Sequence, residues 1–326
     1  MKESLPPLLR CRECDAQQWK MRADHREGQE IIDGELACAN CGVALPIQRG
    51  VLRTVASDAY VGNFSFEWQL HKKTQFDSAS SDNSRRVFCE KTGLDLTQLA
   101  GQRVLDVGVG TGRFADVVQR AGAEVIGVDL SFAVETAMEN VGRREHAHVV
   151  QGDAFDLPFA DETFDLIYSI GVLHHTPDCK KAFQSLTRFL KPGGTIVIWV
   201  YDAHVWSPGS LKETVNRLWR SVTTRLPSQL LYALCLLEVP YYYLRKVPRF
   251  QNLLHLLLPG FVYHAIPESN NHRNLREHIL DTFDWYSPRY QSKHTYPEVF
   301  SWFEECGLVE MRALPFPVGV SGKKPL

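Results

Sequence analysis

Asp106 stands two residues before Gly108, and Gly108, Gly110 and Gly112 alternate with Val109 and Thr111 behind the apolar run Val104-Leu105. Glycines so placed bring bare main chain against a ligand, because they adopt conformations that side chains disfavour. An acid just upstream suits a cationic ligand with an amino-acid moiety better than a pyrophosphate. A dinucleotide turn would read G-x-G-x-x-G. Here the third glycine comes one position early and Arg113 holds the dinucleotide slot. Asp129 follows Asp106 by 23 residues and closes the run Glu124 to Val128, where such a site places an acid to accept both ribose hydroxyls. Asp153, in Gly152-Asp153-Ala154, is placed to accept from an adenine amino group. Together these residues point to S-adenosylmethionine as the ligand, with Leu130, Ala154 and Ile170 as flanking contacts.

These residues need a framework of strands and helices. Phe114, Val117, Val118 and Ala121 recur at helical spacing before Gly122, which predicts a helix after the glycine turn. His148 to Gln151 and Phe164 to Ile170 read as further strands, the second delivering Gly171-Val172-Leu173-His174-His175 at its carboxyl end. Open α/β sheets bind ligands at that end. His174 and His175 are therefore candidate general bases, needed if the acceptor of a transferred group holds a proton, as a hydroxyl does. The other reading is a histidine that bonds main chain ahead of a helix. Thr176-Pro177-Asp178 predicts a helix start, with Ala182, Phe183, Leu186, Phe189 and Leu190 as its apolar stripe and Lys191 to Gly194 as its end. Thr195 to Val200 is then a fifth strand. Thr295 and Glu298 form a capping box for a late helix, and Leu308 to Leu314 and Phe316 to Val320 supply strands six and seven.

With these motifs in place the chain resembles the class I S-adenosylmethionine-dependent methyltransferases, in the large bacterial group whose fourth strand leads into G-V-L-H-H-T-P-D. The resemblance is dense over 101–201 and resumes at about 281–320. It implies a doubly wound, mainly parallel, seven-stranded Rossmann-like sheet, with Gly108, Gly110 and Gly112 as the glycine turn, Asp129 as the ribose acid and Asp153 as the adenine acid. Members more often carry cysteine where this chain has Val109. In similar enzymes a helix ahead of the first strand covers the methionine end of the cofactor, which makes Phe64 and Trp68 candidates for that end or, equally, core residues. Fold and cofactor leave the acceptor open.

Cys11-x-x-Cys14 and Cys38-x-x-Cys41 form two knuckles 23 residues apart, and Gly42 permits the tight turn after the second. Four thiolates can surround one Zn²⁺ with no open position, so the metal read here is structural. Cys89, Cys179, Cys235 and Cys306 lack partners at ligand spacing and read as packing residues. The domain reading is a zinc ribbon over 1–54, a cofactor-covering segment over 55–99, a methyltransferase core over 100–202 and 281–326, and a helical insertion over 203–280.

The 326 residues are 44% hydrophobic with a net charge of −2, which gives no basic footprint for nucleic acid. DNA is not expected as a partner and RNA is disfavoured. No basic-then-apolar leader opens the chain, so a cytoplasmic location is expected. The insertion carries Lys212, Arg217, Arg220 and Arg225 among apolar residues, then the leucine- and tyrosine-rich stretch Leu230 to Leu244 broken by Glu238 and Pro240. It reads as a lid on the core or as an amphipathic surface for peripheral membrane contact and a lipid-linked acceptor. Asp281 to Tyr290 is dense in acids and aromatics, and Asp284, Tyr286, Arg289 and Tyr290 are the candidate acceptor contacts, the planar fork of Arg289 suiting a carboxylate or phosphate. The expected activity is methylation of oxygen or nitrogen on a small molecule, sugar or lipid-linked acceptor. An RNA methyltransferase with a zinc ribbon is the alternative, although Gly171-Val172-Leu173-His174 stands where planar-amine enzymes carry Asn-Pro-Pro-Tyr. A cofactor-binding scaffold without catalysis is the third reading. Oligomeric state is left open.

Overall fold

Alternation of apolar runs with amphipathic ones produces a sheet with helices on both faces. The computed structural model describes residues 1–58, 60–74, 76–77, 82–204, 211–237, 239 and 275–326. Its central strands are β5 (Arg103–Val107), β6 (Glu124–Asp129), β7 (Ala147–Gln151), β8 (Phe164–Ile170) and β9 (Leu190–Trp199), all parallel to one another. Antiparallel β10 (Val309–Ala313) and β11 (Gly319–Lys323) complete the order β7-β6-β5-β8-β9-β11-β10. This is the seven-stranded doubly wound sheet expected. Strand order reverses at β5 and β8, so the ends of these strands open a crevice.

The N-terminal strands β1 (Trp19–Glu27), β2 (Glu30–Cys38), β3 (Ala44–Gln48) and β4 (Val51–Arg53) form an antiparallel meander. It is not a separate sheet. Strand β4 pairs in parallel with β7, Leu52 opposite Val150 and Arg53 opposite Gln151, which extends the sheet to eleven strands. The hairpin β1–β2 also accounts for the long spacing between the cysteine knuckles, since it occupies most of the interval between Cys14 and Cys38.

Helices α1 (Gly62–Leu70) and α2 (Asn83–Thr92) precede β5; α3 (Arg113–Arg120), α4 (Ala133–Ala137) and α5 (Cys179–Thr187) join the central strands. Beyond β9 come α6 (Leu211–Thr223), α7 (Ser228–Cys235), α8 (Leu275–Tyr286) and α9 (Tyr296–Glu305). Helix α9 begins with the expected capping box of Thr295 and Glu298. Helix α5 departs from expectation. Its cap is Asp178, whose carboxylate accepts from the Lys181 amide at 3.0 Å, while Thr176 closes the preceding turn through its hydroxyl to the Leu173 oxygen. The helix also ends before Phe189, so Phe189 and Leu190 lead into β9 instead of continuing the stripe. Strand β11 likewise starts three residues later than Phe316, beyond the tight Leu314 to Val318 connection.

Helices α6, α7 and α8 enclose a small apolar cluster of Leu231, Cys235, Ile279, Phe283, Trp285 and Tyr286, against which Phe66 and Tyr201 pack. The insertion is thus fastened to the core through α8, which runs across the 280/281 boundary drawn from the sequence. Glu238 was to break the apolar stretch; it and residues 240–274, including Pro240 and Tyr241 to Leu244, lie outside the described residues. No helix among the described residues is long and apolar enough to cross a membrane.

Candidate active site

The turn after β5 is held open by main-chain geometry. Gly108 has φ +86°, and its amide and that of Val109 both donate to the Val128 oxygen of β6, at 2.7 and 2.9 Å. A Cβ on Gly108 would stand 2.2 Å from Val172 Cγ2, so only glycine lets the turn lie against the loop after β8.

Asp129 ends β6 beside this turn. One carboxylate oxygen accepts from the Gly110 amide at 2.9 Å; the other accepts from the Ser131 amide and hydroxyl at 2.9 and 2.7 Å. The acid thus fixes the glycine turn as well as offering its remaining lone pairs to a ligand, while desolvation raises its pKa above the ordinary carboxylate value. Asp153 sits in the loop after β7, where its carboxylate accepts from the Phe155 amide at 3.1 Å.

A cavity of about 650 Å³ runs along the carboxyl ends of β7, β6, β5, β8 and β9. Its walls include Asp153, Ala154, Asp129, Leu130, Gly108, Gly110, Ile170 and His175, and both Phe64 and Trp68 from α1. Asp106 and Gly112, expected as direct contacts, are not on that wall. Asp106 lies beneath the turn, where burial pushes its carboxyl up to about 7 and the Tyr168 hydroxyl beside it opposes the rise. Gly112 caps α3 in the left-handed region.

The two histidines separate. His175 lines the cavity; Nδ1 donates to the Tyr290 main-chain oxygen at 3.0 Å, and Nε2, itself buried, has no partner among the described residues. Since a carbonyl only accepts, the proton is on Nδ1 and the lone pair on Nε2. Burial lowers the pKa of this ring to about 4, so it is neutral at pH 7. His174 points elsewhere. It is fully buried off the cavity wall, stacked on Tyr201 with ring centroids 3.8 Å apart.

The four candidate acceptor contacts separate as well. Asp284 lines the cavity, and burial with the neighbouring Asp281 charge raises its carboxyl to about 7. Tyr286 is buried in the cluster under the insertion, and Arg289 is exposed, its guanidinium 5.6 Å from the Tyr290 ring. Tyr290 reaches the site only through its main chain and through an edge contact to Tyr60, which does line the cavity. The segment Asp281 to Tyr286 is helical, so Asp281 and Asp284, three apart, share the cavity wall while Tyr286 faces another way. Tyr60, Lys91, Trp199 and Tyr201 also line the cavity and were not singled out from the sequence. Trp199 was legible near the end of the fifth strand, and Tyr201 lies just beyond it; Lys91, on α2 with its ammonium 3.4 Å from the Trp199 ring centroid, carried no signal.

The arrangement combines a nucleoside-sized set of acids and side-chain-free main chain with a neutral base at the ends of adjoining strands. Residues 105–198 match the family described as Methyltransferase domain. The matched residues run from Leu105 in β5, the strand before the glycine turn, to Ile198 in β9. Among curated proteins, an O-methyltransferase of Aspergillus sclerotiorum is 35% identical over 147 residues, 42% of this chain and 56% of the relative. The demethylmenaquinone methyltransferase of Renibacterium salmoninarum is 36% identical over 126 residues, 38% of this chain and 50% of the relative. The chain spans about half the length of these curated relatives. Among solved structures, an S-adenosylmethionine-dependent methyltransferase from Mesorhizobium loti is 30% identical over 31% of this chain and 47% of its own, with a TM-score of 0.29. Human N-acetylserotonin methyltransferase in complex with its donor is 15% identical over 81% of this chain and 56% of its own, with a TM-score of 0.44.

The four cysteines of the N-terminal knuckles come together. Their sulfurs all lie within 4.8 Å of one another, with Cys11 to Cys41 at 3.6 Å and Cys14 to Cys38 at 3.5 Å. Tetrahedral zinc with Zn–S near ~2.3 Å requires sulfurs about 3.8 Å apart, so the donor set fits.

Proposed function

We propose that the protein is an S-adenosylmethionine-dependent methyltransferase acting on a hydroxyl of a small-molecule acceptor. The observation that carries this reading is His175: a neutral ring on the cavity wall, its tautomer set by the Tyr290 carbonyl and its Nε2 unshared. The methyltransferase match over 105–198 and the relatives described as O-methyltransferases support it.

When bound, S-adenosylmethionine supplies a methyl group on a sulfonium. Asp153 would hold the adenine, Asp129 the ribose, and the main chain at Gly108 and Gly110 the side of the nucleoside. Phe64, Trp199 and Tyr201 narrow the cavity toward the β8 and β9 ends. Their bulk excludes water and orients the acceptor, the effects on which a displacement at carbon most depends. His175 Nε2 takes the hydroxyl proton, so that oxygen attacks as the stronger nucleophile. The cysteine knuckles would hold one Zn²⁺ in a structural role, with the ribbon ending near residue 54, the cofactor-covering segment over 55–99, and α8, which begins within the insertion drawn over 203–280, lining the acceptor side.

The test is incubation with radiolabelled donor and a lysate divided into RNA, protein, lipid and metabolite fractions. Label in the metabolite or lipid fraction supports the proposal, label in RNA supports the alternative acceptor, and label in none supports a non-catalytic scaffold. Metal analysis of reduced protein should find one zinc per chain, and its absence removes the metal from the reading.

A further inference from the structure

The first cysteine knuckle reaches into the loop that carries Asp153. Arg12, between Cys11 and Cys14, donates to the Asp156 main-chain oxygen at 3.1 Å and to its carboxylate at 2.7 Å, and to the Thr54 oxygen at 2.8 Å. Thr54 in turn donates from both its amide and its hydroxyl to the Gln151 oxygen, each at 2.9 Å. Asp156 closes the loop by donating its amide to the Asp153 oxygen at 2.9 Å. One guanidinium therefore links Asp156, beyond Gly152-Asp153, to Thr54, whose own bonds hold Gln151 just ahead of it.

The Arg12–Asp156 ion pair by itself is weak, because both partners are partly exposed and screened by solvent. The two carbonyl bonds matter more. They fix main chain, and a planar fork presents a separate, rigidly placed N–H to each carbonyl, where an ammonium offers rotating donors from a single point. Arg12 lies in the turn bounded by Cys11 and Cys14, and a metal tying both sulfurs would hold that turn and with it the direction of Arg12.

We propose that Arg12 is a positioning residue for the nucleoside end of the cofactor site, and that the cysteine knuckle is what aims it. The proposal rests on reading Asp153 as the adenine acceptor. It gives the ribbon a task in cofactor binding in place of the purely structural task expected from the sequence.

The test measures affinity for S-adenosylmethionine and for adenosine by calorimetry, together with thermal stability, in wild type, Arg12→Ala, Arg12→Lys and wild type stripped of metal by chelation. Arg12→Ala should bind both ligands about tenfold more weakly, by the same factor, with turnover at saturating donor unchanged. Arg12→Lys should recover part of that loss. Metal removal should weaken binding by a similar factor, and Arg12→Ala in stripped protein should add nothing further. Affinities within twofold of wild type in Arg12→Ala overturn the proposal, as does a loss for S-adenosylmethionine without one for adenosine. Additive losses overturn the part that assigns the aiming to the knuckle. If stripped protein unfolds, the metal-loaded Arg12→Ala and Arg12→Lys measurements still decide the role of Arg12. Wild type that binds neither ligand would count against the methyltransferase reading, a failure distinct from all of these.

Discussion

His175 and Tyr290 are joined by a single hydrogen bond, Nδ1 to main-chain oxygen at 3.0 Å, across 115 positions of sequence. The bond ties the loop after β8 to the segment after α8. Among the described residues it leaves Nε2 without a partner, in a ring that also packs 5.3 Å from Phe64. His175→Ala should therefore keep donor affinity while turnover falls roughly 10²- to 10⁴-fold, the range of a lost general base. Single-turnover kinetics alongside donor calorimetry check it. Equal losses in both would assign the residue to the fold alone.

The same burial has a consequence for stability. His175 has its pKa lowered from 6.5 to about 4, first by desolvation and further by Arg220, against the bond to Tyr290. Between those values the unfolded chain binds a proton that the native state refuses, so stability from this residue is complete above pH 6.5 and is lost as pH falls toward 4. The shift corresponds to about 3 kcal/mol. Asp106 and Asp284, both raised to about 7, act in the opposite sense, losing stability as pH rises, so wild type alone does not isolate the term. The advantage of wild type over His175→Gln in urea unfolding should be smaller at pH 4.5 than at pH 7, by about 1 to 3 kcal/mol. An advantage independent of pH would mean that folding leaves the ring to titrate at its ordinary value.

Arg289 and Asp284 were grouped from their density in sequence, and the structure parts them. Asp284 lines the cavity; Arg289 is exposed and touches the Tyr290 ring. Arg289→Ala should change turnover and the acceptor KM by less than about twofold, as surface substitutions away from special features do. Asp284→Asn should raise the acceptor KM with donor affinity intact. Initial-rate kinetics on the acceptor found by labelling decide between them, and a large effect of Arg289→Ala with none from Asp284→Asn would return the acceptor contact to the arginine.

Strand and turn positions were legible where local chemistry alone dictates them. Phe164 to Ile170 is apolar enough to be a buried central strand and is one. Thr295 and Glu298 satisfy each other's main chain without help from elsewhere, which is why the box could be seen in advance. The knuckle spacing likewise brought four sulfurs together as expected. What failed was what depends on tertiary packing. Phe189 and Leu190 continue a helical stripe by spacing, yet Leu190 pairs with Phe164 and leaves the helix for β9. His174 and His175 are adjacent in a motif, and only the three-dimensional turn decides that one faces the cavity while the other is stacked on Tyr201. The join of β4 to β7 and the reach of Arg12 to Asp156 are long-range pairings that no local pattern encodes.

Gly108 and Gly110 both stand in the glycine turn, but they fail differently on substitution. At Gly108 a Cβ would meet Val172 at 2.2 and 2.5 Å from its two methyl groups, in a backbone at φ +86°. At Gly110 the nearest atoms belong to the Trp68 ring at 3.6 Å, an ordinary contact, although φ is +51°. Gly108→Ala should thus lower thermal stability and donor affinity together, the backbone strain alone costing roughly 1 to 2 kcal/mol. Val172→Ala removes both clashing methyls and should restore part of the loss; the strain and the remaining 2.8 Å approach of the Val172 Cβ should persist. Gly110→Ala carries the strain without the clash, so its stability should exceed that of Gly108→Ala. Thermal melts and donor calorimetry on the two single variants and the Gly108→Ala, Val172→Ala double variant test this. If the double variant gains nothing over Gly108→Ala, strain and not the contact with Val172 sets the requirement for glycine at this position.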